Sequence, residues 1–236
     1  MIKKKILAVI LARIGSSRLK NKLMLKINNK SVLKIFIERL KKSNEITDFV
    51  IATSKNKKDI KIVNFAKKEK IRLVRGPEKN VLKRIIIAFK SEKIKPDLIV
   101  RANADNVLVM PAILDNEIKR MIKEKKWSVS SPFNDNYCPF GYSLTIFKPR
   151  TLEKIQENTK KIGYLEHVEN YCFDNLKKFK ILRPKHQKKY FLPNLKLSLD
   201  TLEDFKKIKF YYKKIKKTKL SKQPEYLIKI AKKYEI

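Results

Sequence analysis

Residues 4–22 read KKILAVILARIGSSRLKNK, and this stretch decides the fold. Its apolar run, residues 6–11, has the length and β-branched content of a buried strand. It empties directly into a loop carrying Arg13, Gly15, Ser16, Ser17, Arg18, Lys20 and Lys22. In an open α/β sheet, ligands sit in the crevice beyond the carboxyl ends of the strands. A loop holding two arginines, a glycine and hydroxyls there suits a polyphosphate, because backbone N–H groups and guanidinium forks both reach phosphate oxygens. Neither G-x-x-x-x-G-K-[ST] nor G-x-G-x-x-G follows the strand, so this is not a Walker A loop or a dinucleotide fingerprint.

Working outward, Ser31 can cap a helix running to about residue 42, with Leu33, Phe36, Ile37 and Leu40 on one face. Residues 48–53 (DFVIAT) predict a second strand, residues 57–70 a lysine-rich helix, and residues 71–74 a third strand. Asn80 can cap the next helix, whose Leu82, Ile85, Ile86 and Phe89 make a single stripe, and residues 97–102 (DLIVRA) are the fourth strand. Strands and helices alternating in steps of this length predict a Rossmann-like α/β fold, with a mainly parallel central sheet covered by helices on both faces.

The order continues with a helix from Pro111 to about residue 124, and then less regular sequence over residues 127–142. Short segments follow, with strands at 142–147 and 180–183 and a helix at 164–175. A last strand at 195–199 precedes Asp200, a helix carrying Leu202, Phe205 and Ile208, and an amphipathic helix from Gln223. Repeats and Gly/Ser linkers are absent, so a single domain over residues 1–236 is expected, with a small excursion at about 127–192. That excursion is where an acceptor or a second subunit would dock, and a homodimer stays open.

Composition narrows the function classes. The chain holds 59 Lys and Arg against 23 Asp and Glu, a formal net charge of +36, which ordinarily suggests nucleic acid or an anionic membrane. Here lysine is spread over almost every helix, without the aromatic-basic stripe of a dedicated binder, so no specific nucleic-acid partner is expected. No apolar segment approaches the roughly 18 residues of a membrane span. The two cysteines, Cys138 and Cys172, form no C-x-x-C and no metal-like cluster, which fits reduced thiols and a cytoplasmic location.

Two carboxylates occupy equivalent places. Asp105 follows the fourth strand within a few residues, and Asp200 follows residues 195–199 immediately, so both project toward the crevice that holds the first loop. Taken singly, each could merely cap a turn. Taken with a phosphate-type loop, they fit a magnesium ion, which one or two carboxylates, waters and substrate phosphates commonly complete.

Several of these stretches together resemble one family. Ala12-Arg13-Ile14-Gly15-Ser16-Ser17-Arg18-Leu19-Lys20-Asn21-Lys22 is similar to the A-R-x-x-S-x-R-L-P-G-K signature of cytidylyltransferases that activate sugar acids, in particular the spore-coat polysaccharide (SpsF) type. It departs at Lys20-Asn21, where Pro-Gly is usual. Residues 76–84 resemble G-S-x-x-D-V-L-x-R with Asn80 for Asp, and residues 100–105 resemble V-R-x-T-x-D with Asn103 for Thr. Glu166-His167-Val168 and Asp200-Thr201-Leu202-Glu203-Asp204 resemble the family's E-H-V and D-T-P-E-D.

The resemblance implies a GT-A-like nucleotidyltransferase fold and a Mg²⁺-dependent transfer of CMP from CTP to an anionic small molecule, with release of pyrophosphate, in surface-glycan biosynthesis. It implies that Leu11, Ala12, Arg13, Gly15, Ser16, Arg18, Lys22, Gly76, Arg84 and Asp105 surround the nucleotide. Arg13, Arg18, Lys22 and Arg101 would serve catalysis; Arg101, Glu166 and His167 would bind the acceptor, a sugar acid or a phosphate- or phosphonate-bearing compound. Asp105 and Asp200 would hold the metal. Two rivals stay open: a GT-A-like glycosyltransferase using a nucleotide sugar, although Asp105-Asn106-Val107 is not its D-x-D motif, and a non-enzymatic basic nucleic-acid-binding protein.

Overall fold

The computed structural model describes residues 4–16, 18–132, 139–183, 192 and 195–234; Ser17, Cys138 and His186 lie outside them. The apolar run of the opening stretch is strand β1 (Ile6–Leu11), and a hairpin of β2 (Lys26–Ile27) and β3 (Lys30–Ser31) follows the basic loop. Next come α1 (Val32–Leu40), β4 (Asp48–Ser54), α2 (Ile60–Lys68), β5 (Arg72–Gly76), α3 (Val81–Lys90), β6 (Leu98–Asn103) and α4 (Pro111–Lys123). The remainder is β7 (Val129–Ser130), β8 (Thr145–Phe147), α5 (Pro149–Asn158), α6 (Ile162–Glu166), α7 (Val168–Phe173), β9 (Ile181–Leu182), α8 (Leu202–Ile215) and α9 (Gln223–Tyr234).

Among the described residues, seven strands form one sheet in the order β5-β4-β1-β6-β8-β7-β9. The first four are parallel, β8 runs antiparallel between β6 and β7, and β9 pairs parallel with β7. The Rossmann-like, mainly parallel expectation is borne out. From β1 the chain moves outward through β4 and β5 and then returns to β6 on the other side of β1. That reversal opens a crevice between the carboxyl ends of β1 and β6, the place where such sheets bind ligands.

Strand alternation divides the core. Ile6, Ala8 and Ile10 pack with α1, α2, α4, α8 and α9 on one face. Leu7 and Val9 pack with α3, α5 and α7 on the other. The stripe read on α1 lies inward: Leu33, Phe36, Ile37 and Leu40 are all buried, each worth about 1.5–3 kcal/mol of apolar transfer. Ser31 caps this helix, its side chain accepting from Lys34 N–H. Asn80 caps α3 by accepting from Lys83 N–H at 2.7 Å, so Asn in place of the family's Asp keeps the cap.

The later part of the chain departs from the sequence reading. Residues 127–142 contain β7, and α5 stands where the sequence predicts no element, with Pro149 at its first turn and Thr151, Leu152 and Ile155 buried. The helix expected at 164–175 is two helices, α6 and α7, that meet at His167, whose backbone is non-helical. Among the described residues, 195–199 do not join the sheet and pair through one bridge, Phe140 with Lys196, although the alternate Leu195, Leu197 and Leu199 are buried, together with Ser198. The middle region placed as an excursion supplies β7, β8 and β9 to the same sheet.

Candidate active site

The basic loop is fixed from below. Beyond β1, Ile14 N–H donates to Asp59 Oδ1 at 2.7 Å, and the other oxygen of this buried carboxylate accepts from Ser54 N–H at 3.2 Å and from the Ser54 hydroxyl. Asp59 therefore ties the loop to the end of β4. At the far end of the loop Asn21 takes a left-handed conformation (φ 55°, ψ 26°), which starts a short 3₁₀ turn at Lys22. Asn adopts that region more readily than other non-glycine residues, which explains how it stands in for the family's Gly.

Acidic groups meet the loop from the opposite side. Lys22 Nζ donates to Asp105 Oδ2 at 2.9 Å, to Asp200 Oδ1 at 3.2 Å and to Leu199 O at 2.7 Å. Arg18 Nη2 reaches Asp200 Oδ1 at 2.9 Å, and Lys196 Nζ lies 2.9 Å from Asp200 Oδ2. Burial alone would raise the Asp200 carboxyl, but the Lys196 hydrogen bond and the Lys22 charge outweigh it and hold the group below the usual carboxylate range. Asp200 is kept in place by its own helix: Asp204 Oδ2 accepts from the N–H groups of Asp200 and Thr201, within the capping box that opens α8.

A third group of residues comes from α6 and α7. On β6, Arg101 donates from Nη1 to both carboxylate oxygens of Glu169, to Oε1 at 2.8 Å and to Oε2 at 2.9 Å, and both side chains are buried. Its Nη2 donates to Glu166 O at 3.2 Å, and Glu166 Oε1 takes Arg13 Nη2 at 3.2 Å. Arg84, also buried, donates Nη1 to Pro77 O and Glu78 O, both at 2.7 Å. Burial and then the neighbouring Arg13 lower its pKa. Among the described residues, the buried Nε atoms of Arg84 and Arg101 have no hydrogen-bond partner. The thiol of the buried Cys172 is pushed up to about 12 by burial and then by the Glu169 carboxylate, which disfavours its thiolate.

These groups enclose one cavity of about 430 Å³. Leu11, Ala12, Arg13, Gly15, Ser16, Arg18, Lys22, Arg84, Arg101, Asp105, Glu166, His167 and Asp200 all line it. Gly76 does not: it is buried, and a Cβ there would stand 2.9 Å from Arg84 Cγ and 3.2 Å from Ile87 Cδ1, so it lets β5 approach α3 closely. Two carboxylates converging on one ammonium offer hard oxygen donors that fit a divalent cation such as Mg²⁺. Among the described residues no third Asp, Glu, His or Cys joins them, which fits an ion whose remaining ligands come from water and phosphate.

The family profile described as cytidylyltransferase matches residues 7–230. The chain belongs to the cytidylyltransferase family. Among its relatives, protein MJ1063 of Methanocaldococcus jannaschii is 35% identical over 202 residues, covering 86% of this chain and 81% of that protein. The spore coat polysaccharide biosynthesis protein SpsF of Bacillus subtilis is 28% identical over 214 residues, covering 89% and 87%. Among solved structures, a cytidylyltransferase from Leptospira borgpetersenii superposes with a TM-score of 0.86 at 26% identity, covering 100% of this chain and 96% of that one. CMP:2-keto-3-deoxy-manno-octonic acid synthetase complexed with CTP superposes at 0.65 with 14% identity, over 89% and 99%.

Within this cytidylyltransferase cavity the sequence reading missed Asp59, which fixes the loop, and Glu169, Phe140, Asn106 and Ser198, which line the wall. Glu169 was within reach of sequence reasoning, standing three residues after Glu166 within the helix expected at 164–175. Phe140 and Ser198 were not, because they are brought in by contacts between distant segments.

Proposed function

We propose that this cytidylyltransferase moves the cytidylyl group of CTP to an anionic small-molecule acceptor, a sugar acid or a phosphate- or phosphonate-bearing compound, and releases pyrophosphate. The observation that carries the reading is the single cavity in which the loop cations Arg13, Arg18 and Lys22 face the carboxylates Asp105 and Asp200. An acceptor oxygen forms its bond to the α-phosphorus as the bond from that phosphorus to the bridging oxygen breaks. The electron pair leaves with pyrophosphate, and a hydroxyl acceptor releases its proton to solvent. Such a transfer needs alignment and charge neutralisation more than covalent help.

Arg13, Arg18 and Lys22 hold the triphosphate and the departing pyrophosphate. Leu11, Ala12, Gly15 and Ser16 shape the nucleotide side, and among the described residues a side chain at Gly15 would meet only Glu78 Oε1, 3.5 Å away, which leaves room for a close-lying ligand. Asp105 and Asp200 hold the magnesium ion, which when bound supplies Lewis-acid polarisation and charge neutralisation at the phosphates. Arg84 lines the nucleotide side of the cavity, and Arg101, with Glu166 and His167, faces the acceptor. The relation to a spore-coat polysaccharide protein supports a precursor of a surface glycan as the product.

The test is incubation with each of the four NTPs, magnesium and a panel of sugar acids, phosphates and phosphonates, read as pyrophosphate release. CTP with one acceptor class should stand out. Release from none of the NTPs, with consumption of a nucleotide sugar instead, would overturn the reading in favour of a glycosyltransferase.

A further inference from the structure

We infer that Lys22 is a positioning residue for the metal ligands: its ammonium holds Asp105 and Asp200 together in the nucleotide-free protein and passes to the triphosphate only when a divalent cation replaces it. The inference rests on the nucleotidyl-transfer reading and specifies how that site is loaded.

The hydrogen-bond inventory of the ammonium leads to it. A lysine has three N–H donors, and Asp105 Oδ2, Asp200 Oδ1 and Leu199 O engage all three of Lys22's. In this arrangement Lys22 has no proton left for a phosphate. Its side chain is only 12% exposed, so its charge is weakly screened. The two carboxylate oxygens both lie within 3.2 Å of this nitrogen. Without a cation between them they would repel each other and separate. Lys22 thus keeps the ligand pair assembled, and for the same reason opposes the entry of another cation.

Charge around Asp200 sharpens the consequence. Arg18 shares its Oδ1 and Lys196 holds its Oδ2, so an incoming M²⁺ meets three resident cations. Once displaced, the ammonium needs a new anion, and the triphosphate is the one the proposed reaction provides. Metal without nucleotide strands Lys22 and Arg18, and nucleotide without metal finds them engaged. Each ligand therefore binds weakly alone and strengthens the other, by the same factor in both directions.

The experiment uses the full chain with Mn²⁺ and CTP as probes. Mn²⁺ binding is followed by loss of its electron paramagnetic resonance signal, corrected for the Mn–CTP complex, and CTP binding by calorimetry. In the wild type, saturating CTP should tighten Mn²⁺ binding by about tenfold or more, and Mn²⁺ should tighten CTP binding equally. The Lys22→Met variant gives the opposite signs for the two ligands. Nucleotide-free Lys22→Met should bind Mn²⁺ about tenfold more tightly than the wild type, because the competing cation is gone, and should bind CTP more weakly. Its melting temperature should rise with Mn²⁺ alone by more than the wild type's does.

Equal or weaker Mn²⁺ binding by nucleotide-free Lys22→Met overturns the inference, as does wild-type Mn²⁺ affinity that ignores CTP. Should Lys22→Met not fold, Lys22→Gln takes its place, because phosphate ligation of the cation alone would couple Mn²⁺ to CTP and only removal of the ammonium isolates its role. CTP and Mn²⁺ that both bind, but independently, defeat only the role given to Lys22. Absence of CTP binding with Mn²⁺ present defeats the nucleotidyl-transfer reading and this inference with it.

Discussion

The two sides of the cavity are built differently. On the side of β1, β4, β5 and β6, parallel pairing runs without interruption, from Ile6 opposite Leu98 to Leu11 opposite Asn103 in one ladder and from Leu7 opposite Asp48 to Leu11 opposite Ala52 in the next. Arg13 and Asp105 stand two residues beyond the ends of β1 and β6. On the other side the strands are two or three residues long. Glu166, His167 and Glu169 sit where two short helices meet, and Asp200 hangs from a segment held to Phe140 by a single bridge. A sheet positions the first wall through many redundant hydrogen bonds. A few polar contacts position the second, so single substitutions should tell most on that side.

The largest effect is expected where the walls join. Arg101 on β6 and Glu169 on α7 form an ion pair with side chains 7% and 1% exposed. Glu169→Gln leaves a buried guanidinium without its counter-charge, and loss of one partner of such a pair typically costs about 3–5 kcal/mol. Urea unfolding should show a loss of that order. Replacing both partners, Arg101→Met with Glu169→Leu, should recover most of the stability and none of the activity, since burying two charges is itself costly. A Glu169→Gln loss below about 1 kcal/mol would mean that the second wall does not depend on this pair.

Next in size is the contact that aligns Asp200. Gly141 has φ +97°, and a Cβ there would lie 3.0 Å from the Leu197 carbonyl carbon and 3.2 Å from Ser198 N. Gly141→Ala combines backbone strain with a clash against backbone, at a cost of roughly 1–3 kcal/mol. The Leu197 N–H bond to Phe140 O and the Leu199 N–H bond to Asp105 O should both be disturbed, so catalysis should fall beyond what the stability change explains. The control is Gly163→Ala in α6, where a Cβ meets nothing within 4 Å; it should be neutral or stabilising by about 0.5 kcal/mol. Equal effects at the two glycines, read by thermal melting and by turnover, would remove the argument for residues 195–199 as a positioning segment.

The same contrast governs what could be read from the sequence. Strands β1, β4 and β6 carry unbroken apolar runs, and α1 and α3 carry one-sided stripes behind Ser31 and Asn80 caps, so each declares itself locally. Their site residues follow from the rule that ligands lie beyond strand ends. By contrast α5 buries Pro149, Thr151, Leu152 and Ile155 among charged side chains, and β7 and β9 are too short for any period to show. Residues 195–199 alternate like a strand because Leu195, Leu197 and Leu199 do point into the core, yet pairing depends on partners that no local pattern specifies. Asp59 shows the same limit on the regular side: a carboxylate in a lysine-rich turn looks solvated until Ile14, distant in sequence, is seen to donate to it.

The smallest effect belongs to the first wall, at the turn that delivers Lys22. Asn21 has φ 55° and ψ 26°, a region costing an ordinary L-residue roughly 1–2 kcal/mol and Asn less. Its side chain also accepts from Lys61 Nζ, at a marginal 3.4 Å. Asn21→Gly and Asn21→Ala both remove that contact, so the difference between them isolates the backbone. Glycine relieves the left-handed geometry but adds freedom to the unfolded chain, and should leave stability within about 0.5 kcal/mol of wild type. Alanine gains nothing from the unfolded state that offsets the strain, and should cost about 1 kcal/mol by urea unfolding. Because the turn begins at the residue before Lys22, Asn21→Ala should also weaken CTP saturation, while Asn21→Gly, which restores the residue usual in the family signature, should not. If both variants weaken CTP use equally, the Asn21 side chain and not its backbone conformation sets the position of Lys22, and the first wall depends on single contacts as much as the second.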